Sequence, residues 1–281
     1  MSDRVNQARM ASERRRLEWT ERMERYALRA APRLKPFAGA MVTLLPPPLG
    51  GRILDVATGT GLVAVEAAKR VGPDGTVLAT DFLSAWEPYV RKTASEAGVT
   101  NITFAAMPAE ALDLPDASFD MVYCQFGLMF MPEPVRALRE MRRVLRPGER
   151  IGIAVWSVPE KVGLFLVSRI VGPALPPVEG EAPPSPMSMG APGMIEGLIA
   201  EAGFLQIATN RVTLFHEIAD PETEWTAWRE DFATTDGGGL ASLQKGEQQR
   251  LHDQVIAALE GFRDGGVVRV PSEAIVVIAR R

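Results

Sequence analysis

The chain has 281 residues, of which 46% are hydrophobic and 23% charged, and its formal net charge is −4. That length and balance describe one large globular domain, or one domain with a cap, and the scattered basic residues leave no electrostatic footprint for nucleic acid. The single cysteine, Cys124, excludes an intrachain disulfide framework; no 18-residue apolar run predicts a membrane span and no N-terminal apolar run a signal peptide, so the expected location is the cytoplasm.

Residues 1–35 are polar with a helical pattern. Glu18 and Arg22 stand four apart, as do Glu21 and Arg25, the spacing of a solvated helix face. Leu17, Trp19, Met23, Tyr26 and Ala27 form its amphipathic side, and Trp19 or Tyr26 is a candidate lid residue. An apolar helix over Phe37 to Leu45 is stopped by Pro46-Pro47-Pro48 and Gly50-Gly51.

The sequence then reads Arg52-Ile-Leu-Asp55-Val-Ala-Thr58-Gly59-Thr60-Gly61. Ile53, Leu54 and Val56 make the short apolar run of a strand covered on both faces. Gly59 and Gly61 permit a tight turn close to a ligand, and Leu62 to Arg70 is a helix whose free N–H groups face the crevice. After the turn Gly72-Pro-Asp-Gly75, Thr76 to Thr80 is a second strand ending in Asp81, twenty residues past Gly61. A carboxylate there can accept both hydroxyls of a ribose, or cap the helix expected near Ser84 to Ala97.

A third strand spans Asn101 to Ala106 and a fourth Phe119 to Gln125. Glu133 to Leu145 is an amphipathic helix with Leu138, Met141, Val144 and Leu145 on its buried stripe; Pro147-Gly148 closes it, and Ile151 to Trp156 is a fifth strand. The alternation implies a parallel sheet with helices on both faces. Residues 160–172 read as an apolar helix, and residues 173–192 carry seven of the 22 prolines, the composition of an irregular loop or flap. A short helix over Ile195 to Ala202, a strand over Ile207 to Ile218, helices over Pro221 to Phe232 and Leu240 to Phe262, and a strand over Val267 to Ile278 complete the chain. Two late strands joined by helices predict an antiparallel edge hairpin with a helical insertion. The expected layout is an N-terminal helical lid or cap over 1–48, a ligand-binding core over 49–158 and a substrate-facing half over 159–281.

The glycine turn fits two cofactor classes. Gly59-x-Gly61-x-x-Ala64 matches a relaxed dinucleotide fingerprint. Against a pyrophosphate stands Asp55, whose carboxylate would repel it but suits a ligand carrying an ammonium and a sulfonium. Taken together, Asp55…Gly59-Thr60-Gly61, Asp81, Ala109-Glu110, Ser118-Phe119-Asp120, Phe126-Gly127-Leu128 and Arg143-Val-Leu-Arg-Pro-Gly148 resemble the class I S-adenosylmethionine (SAM) methyltransferases. Over residues 50–156 the chain looks most like their UbiE-type quinone-biosynthesis group.

The resemblance implies a Rossmann-like, seven-stranded, mostly parallel α/β sheet with an antiparallel C-terminal edge strand and helical caps. It also implies site roles. Asp55, Thr58, Gly59, Thr60 and Gly61 would surround the methionine part of SAM. Asp81, followed by Phe82, would hold the ribose. The Ala109 N–H would meet the adenine edge beside Glu110, and Gln125 would face the amino-acid part or the sulfonium. The product would be S-adenosylhomocysteine. One departure stands out: where the family often has Asp or Asn before Ala-Glu, contacting the adenine amino group, this chain has Pro108. Adenine contact must then come from backbone, from Glu110 or from packing.

No His/Asp/Glu cluster has metal-ligand spacing, and His216 and His252 read as structural or solvated. Gln125-Phe126-Gly127-Leu128 replaces the Asn/Asp-Pro-Pro-Tyr/Phe of nucleic-acid and protein-glutamine enzymes. Cys124, inside a strand, reads as a small buried hydrophobe rather than a nucleophile. Phe126, Leu128, Met129, Phe130, Met131, Trp156, Leu164, Phe165, Met187 and Met189 leave enough apolar surface, beyond the core, for a small apolar or aromatic acceptor. The expectation is a small-molecule methyltransferase acting as monomer or homodimer. The alternatives are an NAD(P)-linked oxidoreductase and a non-catalytic SAM-binding protein.

Overall fold

A computed structural model describes residues 17, 20, 21, 23–176, 185–233 and 239–281. Glu18, Trp19 and Arg22 lie outside these, as does part of the proline-rich stretch, 177–184. The elements are α1 (Ala31–Leu44), preceded by a π-helical turn at Tyr26–Ala30, then β1 (Arg52–Val56), α2 (Leu62–Val71), β2 (Thr76–Asp81) and α3 (Glu87–Glu96). There follow β3 (Ile102–Ala106), β4 (Phe119–Gln125), α4 (Pro134–Val144), β5 (Leu145–Trp156), α5 (Leu166–Val171) and α6 (Met194–Glu201). The last are β6 (Leu205–Ile218), α7 (Pro221–Ala233), α8 (Lys245–Glu260), β7 (Arg263–Asp264) and β8 (Val267–Arg280).

The strands form one sheet in the order β3-β2-β1-β4-β5-β8-β6, with β7 paired antiparallel to β8 off that path. This is the Rossmann-like mixed sheet of the class I methyltransferase fold, and β1, β2, β3, β4 and β5 run parallel as strand–helix alternation demands. The seven expected strands form the main path. The C-terminal strand itself lies between β5 and β6, and β6 takes the edge.

Two compact units share the chain. The first comprises residues 1–155, 193–210 and 276–281. Ile53 and Leu54, adjacent in β1 and so pointing to opposite faces, are both fully buried, which is why this strand reads as a continuous apolar run. Ala137, Leu138, Met141 and Val144 bury the stripe of α4. Its C-terminal motif is structural. Arg143 donates to the carbonyls of Leu112 and Leu114 and pairs with Asp116 and Glu140, while Glu140 Oε2 accepts from the Leu112 N–H at 3.0 Å. Together they pin residues 112–116 of the loop between β3 and β4. Asp120 accepts the Arg52 N–H at 2.7 Å and pairs with Arg146.

Helix α4 gives way to β5 at Leu145, so Pro147-Gly148 sits inside the strand rather than between two elements. Pro147 tolerates extended backbone, and Leu145 already pairs with Phe119; the pairing register shifts before Arg150 meets Met121, which absorbs the intervening residues.

The second unit comprises residues 156–192 and 211–275. Its core joins Leu166, Val167 and Val171 to Trp225, Leu251, Val255, Leu259, Val268 and Val270. The expected helix over 160–172 is shortened to α5, after 3₁₀ turns at Pro159–Lys161 and Gly163–Phe165. Val162 bridges to Ser272, whose Oγ accepts the Leu164 N–H at 2.9 Å, and those ties to β8 are incompatible with a helix there. Ser157, fully buried, donates to Glu273 Oε1 at 2.7 Å, and Arg211 and Lys161 also bond that carboxylate.

Leu138 is fully buried on the face of α4, so Leu138→Ala should cost about 2–5 kcal/mol. Denaturant titration would show this as a lower midpoint with an unchanged slope.

Candidate functional site

The parallel strands of the first unit end together at their carboxyl edge, where a doubly wound sheet places its ligands. At the end of β1, Asp55 is buried and one of its oxygens holds the turn. Oδ2 accepts the Thr58 hydroxyl at 2.6 Å and the Ala64 N–H at 3.0 Å. That bond ties the strand end to the first turn of α2, whose N-cap, Gly61, offers no side-chain cap and has φ +85°. A side chain at Gly61 would also press on Val90 of α3, with Cβ 3.2 Å from its Cγ1.

Asp81 stands at the end of β2, buried, with Oδ2 3.0 Å from the Gly59 N–H and Oδ1 facing the Leu83 N–H at 3.5 Å. The Phe82 amide adds a third backbone donor. The Thr58 N–H donates to the Thr80 carbonyl at 3.0 Å, so the turn and the β2 end form one connected unit. Tyr26 packs over Gly59, its ring 3.7 Å from where a Cβ would stand, and meets Trp86 edge-on at 5.6 Å. Of the two aromatic lid candidates, Tyr26 thus lies against the turn.

At the end of β4, Phe126 adopts φ +53° and Ala57, across the strand pair, φ +56°. Two non-glycine residues in the left-handed region on adjacent strand ends mark strain stored at this edge. Between them Gly127 approaches so closely that a Cβ would lie 2.4 Å from that of Ala57. This close approach has no sequence signal beyond a glycine after a strand.

Three buried side-chain oxygens at this edge have no hydrogen-bond partner among the described residues: Thr60 Oγ1 in the turn, Gln125 Oε1 at the end of β4 and Glu110 Oε1 in the loop after β3. Buried polar atoms are almost always paired, so three orphans on three neighbouring loops mark a place for a polar ligand. Asp81, Thr60, Gln125 and Glu110 can all accept hydrogen bonds, an acceptor set that fits a ligand rich in N–H and O–H groups. Ala109, mostly buried, sits in the same loop as Glu110, and Pro108 beside it is exposed.

Burial pushes the Asp55 carboxyl up to about 7, against the pull of Thr58 and Ala64, and the Asp81 carboxyl up to about 6, against the Gly59, Leu83 and Phe82 amides. Burial pushes the Cys124 thiol up to about 12, which suits a core residue. His252 lies in the second unit, with Nε2 2.8 Å from Glu222 and Nδ1 2.9 Å from Asp253; those carboxylates raise its pKa. Among the described residues no group of three or more His, Cys, Asp or Glu could hold a metal ion, and no helix is long and apolar enough to cross a membrane.

Of the apolar residues expected near the acceptor, Phe126, Leu128 and Met129 are buried in the first unit, with Phe126 edge-on to Phe37 at 5.7 Å. Trp156 and Met189 are buried in the second, where Trp156 meets Phe165 edge-on at 5.8 Å. Phe130, Met131, Leu164, Phe165 and Met187 are half-buried.

Residues 53–148 match the family described as Methyltransferase domain. The chain is 40% identical over 111 residues to the ubiquinone/menaquinone biosynthesis C-methyltransferase UbiE of Geobacter sulfurreducens, covering 39% of this chain and 43% of that protein. It is 32% identical over 176 residues to an uncharacterized protein of Mycobacterium tuberculosis, covering 63% and 62%. It therefore spans less than two thirds of the length of either relative. The Haemonchus contortus phosphoethanolamine N-methyltransferase 2, solved with S-adenosyl-L-methionine, shares the fold at TM-score 0.53 and 16% identity, covering 88% of this chain and 52% of that one. The family match covers residues 53–148, and the sheet order is that of the class I SAM-dependent methyltransferase fold.

The raised carboxylates carry a stability prediction. Between about pH 4, where an unfolded Asp titrates, and about pH 7, native Asp55 keeps a proton that the unfolded chain has released. Its contribution to stability is therefore greatest at low pH and falls as pH rises through that window. The stability difference between wild type and Asp55→Asn, from urea titrations at pH 4, 5.5 and 7, should fall with rising pH.

Proposed function

We propose that this protein transfers a methyl group from SAM to a small apolar or aromatic acceptor. The observation that carries the reading is the set of acceptors along the carboxyl edge: the Asp81 carboxylate at the end of β2 and, after β1 and at the end of β4, Thr60 Oγ1 and Gln125 Oε1, both buried without a partner among the described residues. Ribose hydroxyls would donate to Asp81, and an ammonium and a sulfonium would stabilise the ionised forms of Asp55 and Asp81 that burial disfavours. SAM supplies a methyl group already activated on its sulfonium. The chain's own part is to align acceptor and methyl and to keep water out. Tyr26, packed over Gly59, would close the turn from above. An apolar acceptor is supported by the run Phe126 to Met131, which holds no charged residue, and by relatives named for ubiquinone and menaquinone biosynthesis.

Calorimetry with S-adenosylhomocysteine, SAM and NADH tests the cofactor. The two adenosyl ligands should bind in the micromolar range, and Asp81→Ala should weaken them by at least about tenfold, the size of losing a charge-assisted hydrogen bond. NADH binding without either adenosyl ligand would overturn the reading.

The same carboxylates set a pH dependence. Because the ligand favours their ionised forms, affinity should weaken as pH falls below about 7, by up to roughly tenfold per pH unit for each proton displaced. A flat profile from pH 8 to 5 would show that neither carboxylate meets the ligand's charge.

Acceptor class is read by transfer of label from methyl-labelled SAM to a panel running from quinols and phenols to charged amines. Turnover of highly charged acceptors alone would end the apolar assignment.

A further inference from the structure

Strand β6 ends the path of the sheet beside β8, so among the described residues no strand pairs with its other side. Its stretch within the second unit, residues 211–218, reads Arg-Val-Thr-Leu-Phe-His-Glu-Ile. An open edge offers a row of backbone donors and acceptors, and proteins usually blunt such an edge with lysine, proline or a bulge. This stretch holds no lysine, proline or glycine, and its β-branched and aromatic residues suit strand pairing.

The side chains alternate along it. Arg211, Thr213, Phe215 and Glu217 are exposed, whereas Val212, Leu214 and His216 are half-buried. Strand β8 engages the exposed set only in part. Arg211 Nη1 lies 2.8 Å from Glu273 Oε1, with the rest of the guanidinium reaching toward solvent. Arg269 stands 5.1 Å over the Phe215 ring and 3.7 Å from Glu217, yet Phe215 is 54% and the Glu217 side chain 65% exposed.

The order of these residues is self-complementary. In an antiparallel pair, residues whose numbers add to one constant stand opposite each other on the same face. With Leu214 on a two-fold axis, Arg211 faces Glu217 of a second copy, and Glu217 faces Arg211 of that copy. Thr213 and Phe215 face each other in the same way, and Val212 meets His216. Opposite charges and aromatic with β-branched residues are favourable cross-strand pairs. Moving the axis to Thr213 sets Arg211 against Phe215, and moving it to Phe215 sets Thr213 against Glu217; either loses both charge pairs.

We infer that two copies of this chain associate edge to edge through residues 211–217 of β6, antiparallel, with Leu214 at the centre. The paired segment is about 23 Å long and buries less than the roughly 1,200–2,000 Å² of a standard interface, so the dimer dissociates in the micromolar range. The inference is independent of the cofactor reading.

Sedimentation equilibrium of the full chain from about 2 to 200 μM tests it, a range that brackets micromolar association. Wild type should pass from monomer to dimer across that range, and raising the salt to about 0.5 M should weaken the dimer about threefold. Glu217→Arg turns two attractive pairs into two like-charge pairs and should weaken it at least about tenfold. Glu217 is exposed and its contact with Arg269 is loose, so this variant should keep the wild-type melting temperature. Leu214→Cys places two thiols opposite each other with Cα atoms about 4.5–5.5 Å apart, inside the span of a disulfide, and should give a covalent dimer under mild oxidation. The native Cys124 is fully buried and should not contribute. A wild type still monomeric at about 200 μM would overturn the inference and leave the edge to a different partner. A dimer that Glu217→Arg leaves intact, or that Leu214→Cys fails to cross-link, would also overturn it, because the interface would lie elsewhere. Assemblies larger than two would do the same, since a two-fold pairing uses up the edge of each copy.

Discussion

The carboxyl edge of the sheet depends on how one buried carboxylate is held. Asp55 Oδ2 accepts from Thr58 and from Ala64, one in the turn and one in the following helix. Without those two donors, a carboxylate at the end of a fully covered strand would be a buried polar group with no compensation. With them, it locks the glycine turn into one conformation. The turn in turn delivers the Gly59 N–H to Asp81, so two acids on adjacent strands are linked through one backbone loop. Burial raises both pKa values against the donors that hold them.

A second tier of contacts serves geometry rather than chemistry. The Arg143 to Gly148 motif looks functional when read as a string, yet Arg143 braces the loop after β3 and Arg146 pairs with Asp120 at the start of β4. Ser118-Phe119-Asp120 is likewise structural: Asp120 takes the Arg52 N–H, and Arg52 lies over the Phe119 ring at 4.9 Å. The Arg143 and Glu140 contacts hold the loop that bears Glu110, while the Asp120 contacts fasten the opposite, starting ends of β1 and β4.

The second unit has its own core and its own buried carboxylate, Glu273, satisfied by Ser157, Arg211 and Lys161. Buried charges of this kind are tolerated only when their acceptor capacity is filled. Glu110 and Gln125 differ in that each keeps one buried oxygen unfilled.

Much of this was legible in the sequence because it is local. The apolar run Ile53-Leu54, the glycines after Asp55 and the 3.6-residue stripe of α4 depend on residues a few positions apart, and strand–helix alternation dictates parallel pairing. Asp81 was legible too, since a strand end places it. Three things depended on distant contacts. The chain after Trp156 became 3₁₀ turns because Val162 and Leu164 are tied to Ser272, more than a hundred residues away. The C-terminal strand entered the sheet inside β6, a choice made by pairing between segments no local pattern connects. Whether the oxygens of Thr60, Glu110 and Gln125 would find partners was likewise a question of packing, because satisfaction of a buried acceptor depends on every neighbour that folding brings to it.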